Sequence, residues 1–83
     1  MPFREIISLA GKNLKTILIT AREKDGTIET REAEPYSYRI ETGNVYFFCF
    51  DIAKTGIRKF RVENIINVSA TNNSFSPRWP IEV

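Results

Sequence analysis

The stretch NVYFFCFD, residues 44–51, decides the fold. Six consecutive residues, Val45 to Phe50, are apolar or aromatic. The run falls far short of the ~18 apolar residues that a membrane helix requires. It is too aromatic for an ordinary helix. As a strand it places Val45, Phe47 and Cys49 on one face and Tyr46, Phe48 and Phe50 on the other. Apolar residues on both faces predict a central strand covered on both sides. A helix would cover one face, and the interior of a curled sheet the other.

Upstream of this strand, ETGN reads as a turn. Before it, YSYRI places Tyr36, Tyr38 and Ile40 on one face, with Ser37 and Arg39 on the other. Pro35 breaks or bends the preceding run, TIETREAE, residues 27–34. The charges of that run, Glu29, Arg31, Glu32 and Glu34, alternate in sign, as on an exposed edge strand protected by charge. KDGT carries an Asp-Gly pair between two β-like runs, which predicts a two-residue type I′ hairpin with positive φ at both central residues. LKTILITARE, residues 14–23, is rich in β-branched residues and reads as the first strand. Residues 2–10 read as a short helix with Phe3, Ile6, Ile7 and Ala10 on one stripe, widened by Leu9. Pro2 suits its first turn and Gly11 its C-terminal cap. So short a helix is marginal alone and must pack on the sheet.

Downstream, IAKTG turns the chain. IRKFRV, residues 57–62, is a strand with Arg58, Phe60 and Val62 on one face and Ile57, Lys59 and Arg61 on the other. VENI reads as a tight turn or one helical turn, and IINVSAT is a last short strand with Ile66, Val68 and Ala70 aligned. The closing FSPRWPIEV is too apolar for a free tail. Phe75, Trp79, Ile81 and Val83 are expected to dock on the body or on a partner. One helix and five or six short strands with frequent turns predict a mainly β domain, a small sandwich or barrel.

The totals narrow the function. Eighty-three residues make one domain, 42% hydrophobic and 27% charged, with a core too small for a deep active site. The net charge is only +2, so an anionic partner requires locally concentrated cations. The chain has no histidine, which excludes Ser-His and Cys-His catalysis and imidazole metal ligands. It carries no glycine-rich phosphate loop and no metal-ligand cluster. No enzyme and no cofactor are expected. The lone Cys49 reads as a small buried hydrophobe. Without a secretory leader or membrane segment in view, the expected setting is the cytoplasm, with no membrane partner.

The order helix, strand, Asp-Gly hairpin, EPYSYR, GNVYFFCFD and RKFRVENI resembles the WYL domain family over residues 3–71. Its Glu-Pro-aromatic motif stands here as Glu34, Pro35 and Tyr36. Its Trp-Tyr-Leu tripeptide stands as Val45, Tyr46 and Phe47, keeping the tyrosine. Its Arg-x-Phe-Arg-x-x-Arg-Ile motif keeps Arg58, Phe60, Arg61 and Ile65, with Asn64 in place of the third arginine. The resemblance implies an Sm-like (SH3-type) β-barrel with a short N-terminal helix. As domain bounds it suggests a single WYL-like unit, 1–83, with helix 2–11, barrel 14–71 and C-terminal tail 72–83. It implies a ligand sensor of bacterial transcription regulation or defence, with nucleic acid or nucleotides as leading ligands and a basic, aromatic patch as the working surface.

The candidate ligand residues follow. Arg58 starts on an apolar face, where an unpaired guanidinium is costly. It must reach a carboxylate, the barrel mouth or an anion. Arg61 lies opposite, with Lys59, and a flat guanidinium suits phosphate oxygens. Both remain open to the alternative of a structural ion pair with Glu34, Asp51 or Glu63. Phe47, Phe48 and Phe50 read as core. Tyr36 and Tyr46 keep polar tips and could stack an unpaired base, with Ser37 and Arg39 adding polar contacts near Tyr36. The expected ligand is single-stranded nucleic acid or a nucleotide-like anion. The alternative is an interaction module that uses barrel edges or the tail to bind another copy or a partner regulator.

Overall fold

The computed structural model describes residues 2–83, so Met1 of the expected single domain lies outside it. Helix α1 spans Arg4–Lys12, followed by strands β1 (Lys15–Arg22), β2 (Ile28–Glu41), β3 (Asn44–Asp51), β4 (Gly56–Arg61) and β5 (Ile65–Ser74). A single 3-10 turn, Val62–Asn64, joins β4 to β5. The five strands form one antiparallel sheet in the order β4-β3-β2-β1-β5. The edge strands β4 and β5 are therefore joined by three residues, which forces the sheet to curl until its ends approach. This is the expected mainly β, Sm-like arrangement. The expected closure is not reached: β4 and β5 share no ladder among the described residues, and the barrel keeps an open seam.

The core lies inside the curl. Ile17, Ile19 and Ala21 of β1 alternate inward and meet Ala33, Phe47, Cys49, Phe60, Ile65 and Val68. Ile7 and Ala10 of α1 close the same cluster. Helix α1 packs on β1, β2 and β5 and closes the interior that the Phe47 and Cys49 face of β3 also lines, which corrects the expectation of one cover on each face of β3. The other face, with Tyr46, Phe48 and Phe50, is only half-buried. Long charged side chains shield it: Lys59 lies over the Tyr46 ring at 4.7 Å and Arg78 over Phe50 at 3.8 Å.

Strand β2 changes partner along its length. It pairs with β1 from Ile28 to Ala33 and with β3 from Ala33 to Glu41. Pro35 follows this hand-over, where the β1 side is free and no amide donor is missed. Tyr36 is the extra residue of a bulge between Pro35 and Ser37. The bulge separates Tyr36 from Tyr38. Tyr38 packs against the core and Phe47, with ring centroids 5.5 Å apart, whereas Ile40 is 76% exposed. The expected common face of Tyr36, Tyr38 and Ile40 is thus split. The run expected as an exposed edge strand over residues 27–34 is one only in its first part: residues 28–32 pair with β1 alone, whereas Glu34 pairs with β3 and is buried.

Two turns also differ from expectation. The Asp25-Gly26 hairpin has positive φ only at Gly26 (89°). Gly26 N–H bonds to the Glu23 carbonyl and Glu23 N–H to the Thr27 carbonyl, a three-residue loop in which a type I turn precedes a left-handed glycine. The two-residue I′ turn occurs instead at Thr42-Gly43, with φ of 49° and 80°. The helix does not end on Gly11. It runs to Lys12, and Leu14, at φ 55°, turns the chain into β1. In β5 a register shift opposite Thr20 and Ala21 makes Ile66 the extra residue, so Ile65 and Val68 point inward and Ile66 does not.

The tail docks on the chain's own body. Trp79 stacks on Tyr36 with centroids 3.9 Å apart, and Phe75 meets the same ring edge-on at 5.9 Å. Arg78 pairs with Glu34 at 3.1 Å, and Glu82 with Arg39 at 2.9 Å. Glu82 N–H donates to the Tyr36 carbonyl at 2.6 Å. Val83 packs against the core beside α1. No helix among the described residues is long and apolar enough to cross a membrane.

Candidate anion-binding groove

A groove of about 780 Å³ opens between the β1–β2 hairpin and β4. Seven of the chain's twelve basic residues line it, against three of its ten acidic ones. A chain of net charge +2 thus concentrates its cations on one surface. Tyr46 and Phe60 supply aromatic surface in the same wall.

A four-residue charge cluster stands at one end of the groove. Cys49 and Arg58 are register partners, which points Arg58 inward at the barrel mouth. There Arg58 donates to Glu23 Oε1 at 2.7 Å and lies 3.7 Å from Asp51 Oδ2. Arg31 comes from β2 to the same two carboxylates, 3.4 Å from Glu23 Oε1 and 3.3 Å from Asp51 Oδ2, and also pairs with Glu29 at 3.1 Å. Asp51 is 1% exposed. Its Oδ1 accepts the Lys54 amide at 3.1 Å, while its Oδ2 takes part in charge pairing without a well-aligned hydrogen bond. Burial pushes the Glu23 carboxyl up, but the hydrogen bond and charge of Arg58, with Arg31 behind it, outweigh this and hold it below its ordinary value. Burial likewise pulls against Arg58, and Glu23 and Asp51 raise it.

The outer wall is paired more loosely. Arg61 donates to Asn44 Oδ1 at 2.8 Å and pairs with Glu63 at 2.7 Å. Lys59 bonds Glu41 at 2.6 Å, which raises its pKa. Arg22, Lys24 and Lys54 have no acidic partner among the described residues, and Arg22 only bonds the Gly26 carbonyl.

The six candidate residues therefore fall into two groups. Tyr46, Arg58 and Arg61 line the groove. Tyr36, Ser37 and Arg39 lie on the tail side. Tyr36 is fully buried, its hydroxyl donating to Glu34 at 2.6 Å and accepting the Arg78 amide at 3.0 Å. Burial and the Glu34 bond push that hydroxyl up to about 12. Ser37 is buried, and Arg39 is held by Glu82. Both ion-pair alternatives are realised in part: Arg58 lies near Asp51 and Arg61 pairs with Glu63, while the shortest contact of Arg58 is to Glu23. Sequence reading missed Arg31, Lys59 and the hairpin cations. Arg31 was legible only as one member of an alternating charge run, because nothing local shows that β2 carries it across to Arg58.

Comparison with known proteins agrees with this architecture. No curated protein matches the chain. Among solved structures, Proteasome accessory factor B/C (PafBC) of Arthrobacter aurescens is similar, with 23% identity and a TM-score of 0.81 over 90% of this chain. The matched region is 12% of that much longer chain, and the likeness establishes the fold. A family model described as the WYL domain matches residues 4–70, the helix and nearly all of the curled sheet. The chain belongs to the WYL domain family.

Proposed function

We propose that the chain is a non-enzymatic, ligand-sensing module serving transcription regulation or defence, and that it binds single-stranded nucleic acid or a nucleotide-like anion in the groove between the β1–β2 hairpin and β4. The observation that carries this reading is the charge distribution: the groove gathers seven basic against three acidic residues. Single strands are bound by such grooves when aromatic side chains interrupt the basic wall, and Tyr46 meets that need. Membership of the WYL family supports the sensing role. Of the candidate residues, Tyr46, Arg58 and Arg61 carry the binding; Arg31 joins them.

Fluorescence anisotropy with labelled single-stranded DNA and RNA tests this, at low and near-physiological salt. Wild-type binding should weaken with salt at a log–log slope of about 0.7 per phosphate contact. Arg58→Ala/Arg61→Ala should abolish it while the protein still melts cooperatively. Salt-independent binding, or full affinity in the double variant, would refute the reading.

A second reading has one specific support. Among the described residues the outer edges of β4 and β5 are unpaired, and Ile57 on β4 is 62% exposed. They could pair with another copy or a partner regulator. The tail is already occupied by its own body, so this reading rests on the edges alone. Sedimentation as a monomer at high concentration would remove self-association from it.

A further inference from the structure

Glu23 occupies an unusual position for an acidic residue in a cationic groove. One oxygen, Oε1, faces both Arg58 at 2.7 Å and Arg31 at 3.4 Å, and the side chain is 16% exposed. A single anionic oxygen shared by two guanidinium groups is the arrangement by which arginines hold a phosphate oxygen. We infer that Glu23 stands, in the free protein, where a ligand's terminal phosphate binds, and that the groove consequently selects phosphomonoester ends over backbone phosphodiesters. This deepens the proposed function and rests on it.

Charge balance gives the selectivity. Arg31 and Arg58 carry two positive charges against Glu23 and Asp51 between them, and Glu29 meets Arg31 from the outer side at 3.1 Å. A backbone phosphodiester has one negative charge, so exchanging it for the Glu23 carboxylate gains no charge. It must also displace a competitor tethered to the same chain, which has a high effective concentration. A terminal phosphate carries close to two negative charges at neutral pH and three acceptor oxygens. It can engage both guanidinium forks, and its second charge meets Arg22, Lys24 and Lys54, which line the same groove without acidic partners among the described residues.

The surroundings allow the exchange. Asp51, nearly fully buried, stays between the two arginines and keeps them oriented after Glu23 leaves. The hairpin backbone is held independently of the Glu23 side chain. Glu23 N–H bonds the Thr27 carbonyl at 2.7 Å, and Asp25 accepts both the amide and the hydroxyl of Thr27. Only the Glu23 side chain has to swing out.

The test compares one labelled oligonucleotide bearing either a 5′-phosphate or a 5′-hydroxyl, and its 3′-phosphorylated counterpart, on wild type and Glu23→Gln. Wild type should bind a phosphorylated end about tenfold more tightly than the hydroxyl form, the scale of one added charge-assisted hydrogen bond. Glu23→Gln should bind the hydroxyl form more tightly than wild type does and narrow the preference. Competition by a nucleoside monophosphate as strong as by the phosphorylated strand would mark a free nucleotide as the source of the phosphate; weak competition would mark a strand end. Equal wild-type affinity for all ends, or weakening of every ligand by Glu23→Gln, would overturn the inference and leave the groove reading intact. If no strand binds wild type, the strand part of the groove reading fails by itself and the nucleotide-like anion remains as its ligand. Inorganic pyrophosphate followed by amide NMR then decides the inference: shifts at Glu23–Thr27 that Arg58→Ala abolishes uphold it, and their absence refutes it.

Discussion

Trp79 stacks on Tyr36 with ring centroids 3.9 Å apart and 21° between the planes, so the C-terminal tail is bound to the body through a tyrosine that the bulge in β2 turns out of the core. The same tyrosine links the tail to Glu34 and Arg78 through its hydroxyl. The tail is thus part of the folded unit.

Trp79→Ala should lower stability by about 2 kcal/mol, below the 3–5 typical of a fully buried aromatic, because Trp79 is only partly buried. For a domain of this size that is a fall in Tm on the order of 10 °C. Trp79 is the sole tryptophan, so its emission reports tail docking. Emission and circular dichroism should change together in a urea titration. An emission change well ahead of the dichroism would show the tail detaching separately.

Gly11→Ala places a methyl group 2.6 Å from Val83 Cγ2 and 3.1 Å from Ile81 Cγ2. Alanine's better helix propensity contributes up to about 1 kcal/mol in favour of the variant. Overpacking costs about 1–3 kcal/mol unless the tail end shifts. We expect net destabilisation in the full chain and net stabilisation once Ile81–Val83 are deleted. Calorimetric melts of the four chains check the reversal.

The stability of the hairpin end should depend on acid pH. Glu23 is held below its ordinary value of 4.5, so its contribution is complete above that value and is lost as pH falls through the lower folded value. Glu32 behaves alike, held down by hydrogen bonds from Thr16 (2.6 Å) and Asn73 (2.8 Å). Glu23→Gln should flatten the fall in urea midpoint between about pH 5 and 3 relative to wild type. An unchanged slope would remove Glu23 from the acid response.

Arg58→Ala leaves Asp51 buried with Arg31 as its remaining cation. The loss should be about 1–2 kcal/mol, less than the 3–5 of a buried pair left with no partner. Arg58→Ala/Asp51→Asn should recover part of it. A double-variant cycle in chemical denaturation gives the coupling directly.

Cys49 should be inert in the folded protein. Burial, with Asp51 adding to it, pushes its thiol up to about 12. A disulfide-exchange reagent at mildly alkaline pH should react only as fast as the domain opens. Stoichiometric reaction within mixing time would contradict the buried placement.

Much of the fold was legible because alternation is local. NVYFFCFD reads as a strand from its own residues, and Phe47 and Cys49 lie in the core as its parity requires. The turns at residues 42–43 and 52–55, the 3-10 turn at Val62–Asn64 and the docking of an apolar tail were likewise visible in short segments. What failed was parity beyond an inserted residue. Tyr36 and Ile66 each add one residue to a strand, and each moves the following side chains to the opposite face. No composition signal marks such a residue, because whether it bulges depends on the partner strand.

The sequence by itself determined a small, mainly β unit of the WYL kind, with an N-terminal helix, an aromatic central strand and an arginine-bearing strand after it, since each of these rests on neighbours in the chain. Only the tertiary structure decided which charges work together. Glu23 and Arg58 are 35 residues apart and meet because a three-residue link between the edge strands curls the sheet. The same curl gathers the cations of β2, β4 and the hairpin around one groove, and Tyr36 lies beneath the tail. Charge adds up across space, so a site made of it appears only when the chain has folded.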